Sequence, residues 1–212
     1  MDQKPAIKAF LFECLEKKPY GHVLDLGCGD GELTAFVAKH IDEDVAGVEL
    51  DPANILKCKG RGLLVREASI PTYIEDTHAG HVVGGTLVEE AVDDALDMLP
   101  LYDQSFMMID SLPYIGKHDA INTIKRMQEI GSTILIVVPQ GVPEPTLSDS
   151  PYEIVRSSWA THELERLDFS TVIVEDFYEL GVDAIFACWT TSDVAVRGWH
   201  SFRQLLKQET WG

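Results

Sequence analysis

The stretch His22-Val-Leu-Asp-Leu-Gly-Cys-Gly-Asp-Gly31 decides how this chain is read. A short apolar run, Val23 to Leu26, has the character of a buried strand, and three glycines in five residues break it at once. Behind them Leu33, Phe36, Val37 and His40 recur at helical spacing. Strand, glycine turn and helix together bring backbone N–H groups and a helix N-terminus up to a ligand. The third glycine stands at Gly31, whereas the nicotinamide fingerprint needs it at position 32, where Glu32 sits. No Lys-Ser/Thr pair follows, so the loop is not a phosphate loop. Its acids, Asp25 and Asp30, suit a ligand with a cationic end rather than a pyrophosphate.

Working outward, Val45 to Leu50 predicts a second strand and Pro52 to Lys59 a second helix, a β-α-β unit of a parallel sheet. Glu49 ends that strand 22 residues after Gly27, where an acid accepts both hydroxyls of a ribose. Upstream, Ile7, Phe10, Leu11, Cys14 and Leu15 predict a helix over 5–18. Downstream, Leu63 to Ala68 and Thr86 to Val92 read as strands, with a Gly- and His-containing loop or hairpin between them. Further strands are expected at Ser105 to Asp110 and Thr133 to Val138, with an amphipathic helix, His118 to Ile130, between them. Residues 139–157 hold four of the ten prolines and predict a long loop. A helix from Trp159 to Leu167 is expected next. The strands Thr171–Val174 and Ala184–Trp189 then have no room for a crossover helix between them and must be antiparallel neighbours. A last helix is expected over Gly198–Gln208.

The chain has 212 residues, 45% hydrophobic and 25% charged, which suits one globular domain over 1–212 and rules out a disulfide scaffold. The net charge of -18 repels phosphate backbones, which argues against a nucleic-acid partner. Wholly apolar runs such as Ile134 to Val138 are far short of a membrane span. The first twenty residues lack an apolar signal core. A cytoplasmic protein with four reduced cysteines is the expectation, and no membrane association. His78 and His81 are spaced like metal ligands, but no third ligand is evident and no metal is expected. Trp159, Trp189 and Trp199 are read as core or helix-packing residues.

VLDLGCGDGELTAFVAKH (23–40) followed by VAGVELDPANI (45–55) resembles the first two motifs of class I S-adenosylmethionine-dependent methyltransferases. DDALDMLPLYDQSFMMIDSLPYI (93–115) looks like the segments that come next in that superfamily. The likeness runs over about residues 20–192. It implies an α/β fold: a single doubly wound, Rossmann-like, seven-stranded sheet, mostly parallel, with an antiparallel C-terminal hairpin. It implies S-adenosyl-L-methionine as cofactor, with Asp25, Gly27, Cys28, Gly29 and Asp30 around its methionine part. Glu49 would bind the ribose, with Leu50 beside the adenine. Asp94 and Ala95, or Asp93, would meet the adenine edge. Asp110 would face cofactor and acceptor. The resemblance would put the adenine acid near Ala68 or Ser69, where no acid stands, so it also implies an insertion near 66–90, read as a hairpin over the site.

The likeness implies transfer of a methyl group to a small-molecule or protein acceptor. Asp110, His118 and His162 are the candidate general bases. Tyr73, Tyr114, Tyr152 and Arg156 are expected to reach into the acceptor pocket, or the segments that carry them to form a dimer interface. The loop 139–159 resembles one largely uncharacterised group of the superfamily, through Pro139, Gly141, Pro151, Tyr152, Ser158 and Trp159. DSLPY at 110–114 resembles the motif of amino-group methylating enzymes but has an extra residue and one proline. It offers no acidic polyamine site, which argues against aminopropyl transfer. DQSF (103–106) and NILKCKGRG (54–62) look like MetW-like chains, which leaves a cofactor-binding partner without transferase activity as the alternative.

Overall fold

The computed structural model describes residues 4–15, 22–42, 44–78, 104–141, 151–178 and 181–208. Along the chain these form α1 (Lys4–Cys14), β1 (Val23–Leu26), α2 (Glu32–His40), β2 (Val45–Glu49), α3 (Pro52–Gly60), β3 (Leu64–Glu67) and α4 (Ile70–His78). Next come β4 (Gln104–Ile109), a 3-10 turn (Leu112–Tyr114), α5 (Lys117–Ile130) and β5 (Gly131–Pro139). The described chain ends with α6 (Thr161–Glu165), β6 (Ser170–Tyr178), β7 (Val182–Thr190) and α7 (Asp193–Gln208).

The strands make one seven-stranded sheet in the order β3-β2-β1-β4-β5-β7-β6. β3, β2, β1, β4 and β5 run parallel, and β7 is antiparallel to both β5 and β6. The expected doubly wound sheet with an antiparallel C-terminal pair is therefore present. The direction of winding reverses between β1 and β4, and open α/β sheets bind ligands in the crevice beyond the carboxyl ends at such a point.

Strands covered on both faces read as continuous apolar runs, and their alternate residues serve two different cores. In β5, Ile134, Ile136 and Val138 join a core with Tyr73 and Ile74 of α4, Ile124 and Met127 of α5, Trp159 and Leu164. Leu135 and Val137 join the opposite core with Phe10 of α1, Val37 of α2, and Trp199 and Phe202 of α7. Phe10 is the hub there, with ring centroids 5.2 Å from Phe186, 4.9 Å from Phe202 and 5.8 Å from Trp199.

Several elements differ from expectation. Residues 70–78 are helix, not hairpin, because Ile70, Tyr73 and Ile74 sit at helical spacing and bury against the core. Any hairpin over the site, the strand expected at 86–92, and Asp93, Asp94 and Ala95 lie outside the described residues. The helix expected from Trp159 begins instead at Thr161. Trp159 is held in extended form, its N–H and C=O bonded to Gly141 at 3.3 and 2.7 Å. α7 starts at Asp193, five residues before Gly198, and α1 stops at Cys14. No helix among the described residues is long and apolar enough to cross a membrane.

Two buried positions generate predictions. A Cβ on Gly198 would lie 1.7 Å from the Glu13 carbonyl oxygen, so α1 and α7 touch backbone to backbone. Gly198→Ala must force them apart and should cost at least about 2 kcal/mol, read as a lowered urea midpoint. Asp25 is 2% exposed in β1, on the strand face of Val23, and accepts the Thr34 hydroxyl at 2.6 Å. Burial pushes its carboxyl up to about 7, partly opposed by the Thr34 bond and aided by the charge of Glu49. The folded state thus holds a proton that the unfolded chain loses above its ordinary value. Stability should fall as pH rises from about 4 to 7 and stay reduced above that. Asp25→Asn keeps an acceptor for Thr34 and should match the wild type at pH 4. At pH 8 it should be more stable by up to about 4 kcal/mol in urea titrations.

Candidate functional site

The glycine loop is shaped by what its neighbours leave room for. Gly27 has φ +80°, and a Cβ there would stand 2.5 Å from the Ser111 Cβ, so the chain beyond β4 presses directly against the loop. Gly29 also has positive φ, but no atom of the described residues lies within 4 Å of its missing Cβ. The loop is tied to β2 through the Gly27 and Cys28 N–H groups, which donate to the Val48 carbonyl at 2.8 and 3.1 Å. Cys28 turns its side chain under the loop, among Ile55, Cys58 and Val65, with its Sγ 3.8 Å from that of Cys58. Burial and the Asp25 charge push this thiol up, so it packs as a small apolar group. Only its backbone is offered to a ligand. Asp30 turns outward: one oxygen caps the Glu32 N–H and the other pairs with Arg61 at 3.0 Å.

Glu49 does more than the sequence foretold. Its Oε2 accepts the Gly29 N–H at 2.8 Å, while Oε1 accepts the N–H groups of Leu50 at 2.7 Å and Asp51 at 2.8 Å. One carboxylate thus joins the end of β2 to the open part of the glycine loop. The Ala68 N–H donates to the Glu49 carbonyl at 3.1 Å, which sets Ala68 and Ser69, just past β3, beside this corner. Leu50 is 42% exposed there, an apolar side chain free to cover a flat ligand.

Across the switch point, Asp110 follows β4 with φ +58°. Burial pushes its carboxyl up to about 6, opposed by a hydrogen bond from the Tyr178 hydroxyl. Tyr178 was not foreseen, since a tyrosine at a strand end has no motif to mark it. Ser111 is 7% exposed and its Oγ has no hydrogen-bond partner among the described residues. Buried hydroxyls without partners are rare, and this one stands where the chain meets Gly27.

The other expected pocket residues divide. Tyr114 is half-buried, its phenol pushed up by burial, Glu153 and Asp110. Tyr73 is 4% exposed in the core and cannot line a pocket, because α4 uses it for packing. Tyr152, Arg156, His118 and His162 are exposed, and His118 pairs with Asn122 on its own helix. The rim itself is well held. The N–H groups of Arg156 and Ser157 donate to the Pro113 carbonyl. Lys117 bonds the Ser158 carbonyl and Glu163, and its ammonium sits 3.7 Å from the Trp159 ring centroid. Trp159 and Trp199 are buried and Trp189 packs against the core, as expected. The side chains of His78 and His81 lie outside the described residues.

A family model described as "Methionine biosynthesis protein MetW" matches residues 12–92, which include the glycine loop and Glu49. A search of curated protein sequences finds no match. Among solved structures, the chain is similar to the DhpI-SAH complex: TM-score 0.57 and 14% identity over 88% of this chain and 83% of that one. TehB from Haemophilus influenzae superposes with TM-score 0.53 and 15% identity, over 89% of this chain and 62% of that one. An rRNA methylase from Streptococcus thermophilus gives TM-score 0.52 and 11% identity, over 91% and 98%. With the glycine loop after β1, an acid ending β2, and the strand order and direction of the whole sheet, this chain has the class I S-adenosylmethionine-dependent methyltransferase fold.

Proposed function

We propose that this chain binds S-adenosyl-L-methionine and transfers its methyl group to a small molecule or a protein side chain. The observation that carries the reading is the Glu49 carboxylate bonded to the Gly29 N–H, at a glycine that no other described residue crowds. The donor set fits the cofactor. Gly27 to Gly29 supply backbone close to the methionine part, Ser111 Oγ is a buried hydroxyl without a partner among the described residues, and Leu50 offers an apolar cover for the adenine. Glu49 would take the ribose hydroxyls with its remaining acceptor capacity on Oε2. Asp25 would act from beneath the loop, its ionised form, favoured above about pH 7, suiting a cationic ligand above it.

The cofactor supplies an activated methyl on a positive sulfur, so the protein has to align a nucleophile in line and exclude water. The crevice between the ends of β1 and β4 is the place for that alignment, with Asp110 and Tyr114 on its β4 side. Two solved relatives of this fold carry S-adenosylhomocysteine by description, the DhpI complex and the N-terminal domain of EvdMO1, which supports the cofactor class. The charge of -18 favours an acceptor other than a nucleic acid.

A second reading, a cofactor-binding partner without transferase activity, is favoured by one observation. The matching family model is described by a biosynthetic role rather than a reaction, and it ends at residue 92, before Asp110. Labelled methyl from the cofactor, followed across a cell extract, separates the two: transfer to any acceptor supports the first, and tight binding without transfer the second.

Calorimetry should show micromolar binding of both S-adenosylmethionine and S-adenosylhomocysteine, about -8 kcal/mol. Indifference to both would sink the cofactor reading. Glu49→Ala should weaken binding by about 1.5–3 kcal/mol. It should also lower the melting temperature, because three backbone N–H groups lose their acceptor. A mutant with unchanged affinity would move the ribose site elsewhere.

A further inference from the structure

Asp110 is held unusually firmly for a residue in a connecting turn. Its backbone is in the left-handed region, which Asp tolerates better than most side chains, and its N–H donates to the Val137 carbonyl of β5 at 2.9 Å. One carboxylate oxygen, Oδ1, accepts the Tyr178 hydroxyl, while Oδ2 has no hydrogen bond among the described residues. Tyr178 belongs to the outermost strand, and β5 and β7 lie between it and β4. A register shift between Val174 and Tyr178 ends the regular pairing of β6 and β7 before Tyr178 meets Val182. The ring also packs with the core that holds Phe177 and Phe186. A surface strand thus reaches back to one carboxylate at the ligand edge of the sheet, while Ser111, the next residue, presses on Gly27.

We propose that Asp110 is the proton acceptor in methyl transfer, with Tyr178 as its positioning residue, and that the methyl acceptor is therefore a protic nucleophile, a hydroxyl or a neutral N–H group. This rests on the transferase reading above and extends it to the acceptor class. The acceptor atom X forms its bond to the methyl carbon as the carbon–sulfur bond breaks, and that bond's electron pair goes to sulfur. The proton on X passes to Oδ2 of Asp110, while Oδ1 stays bonded to Tyr178. The products are the methylated acceptor, a neutral thioether and a carboxylic acid that returns its proton to water.

The surroundings suit a base that works near neutral pH. Desolvation raises the Asp110 carboxyl to about 6, and the Tyr178 hydrogen bond lowers it. Among the described residues, the other ionisable groups at this corner are Tyr114 from the 3-10 turn and, behind it, Glu153, and no cation contributes. Tyr178→Phe keeps the ring and removes the hydrogen bond, so the Asp110 pKa must rise.

The test has a readout that needs no acceptor. Full-length protein carrying carboxyl-labelled aspartate is titrated by NMR with S-adenosylhomocysteine bound. Besides Asp25, which should titrate near pH 7 and vanish in Asp25→Asn, one carboxyl should titrate near pH 6, move up by about half a unit or more in Tyr178→Phe, and vanish in Asp110→Asn. With an acceptor in hand, the acid limb of kcat/KM should follow the same shift. Asp110→Asn should lose the limb and about 10²- to 10⁴-fold of the rate. An acid limb that Tyr178→Phe leaves in place, an unmoved titration of the carboxyl that Asp110→Asn removes, or an Asp110→Asn enzyme of near wild-type rate overturns the assignment. Failure of the wild type to bind S-adenosylhomocysteine overturns the cofactor reading instead, so the two failures are distinct.

Discussion

The contact on which the site depends is the one between Gly27 and Ser111, where a missing side chain lets two connections pass at van der Waals range. Parallel pairing of β1 with β4 brings their carboxyl ends together at the point where the sheet changes its winding direction. Any Cβ at position 27 would meet the Ser111 Cβ at 2.5 Å, on a backbone already at φ +80°. The close approach sets Asp110 beside the glycine loop, and Asp110 in turn draws Tyr178 from the far edge of the sheet.

Around that contact the protein accepts polar burial that a purely structural sheet would avoid. Asp25 sits where an apolar residue would serve the core better, and its raised pKa measures what its ionised form costs. Glu49 spends three of its acceptor positions on backbone N–H groups, which stiffens the loop before any ligand arrives. A loop ordered in advance loses less entropy on binding, so under the proposed function the same residue would serve both stability and affinity. If Asp25 serves the proposed cofactor site, stability is traded for function there, and Asp25→Asn is where that trade is most exposed.

The periphery supports the same corner by different means. The charge pair of Lys117 with Glu163 is partly exposed and of modest worth alone. Stacked on Trp159 and bonded to the Ser158 carbonyl, the same ammonium pins the segment that runs against the 3-10 turn. Ser157 adds a bond from its hydroxyl to the Leu112 carbonyl. The rim near Tyr114 is thereby set by side chains from α5, α6 and the segment between β5 and α6.

By itself the sequence determined the fold class, because strand and helix periods and the glycine turn are local properties. Each buried strand announces itself as an apolar run, and the glycines of 27–31 leave no other backbone path. It also marked Glu49 and Asp110, which close strands and so fall at the ligand edge whatever the packing. Tertiary structure alone decided the rest. Ile70 to His78 became a helix because Tyr73 and Ile74 found a core to bury in, which no count of neighbouring residues reveals. Cys28 turned downward because Gly47 leaves room for its sulfur, and Trp159 stayed extended because Gly141 offered it backbone partners. Tyr178 lies 68 residues from Asp110, and only the antiparallel return of β7 and β6 brings them together. Local patterning sets which residues are strand ends, but which strand ends meet depends on long-range pairing, whose partners share no sequence signal.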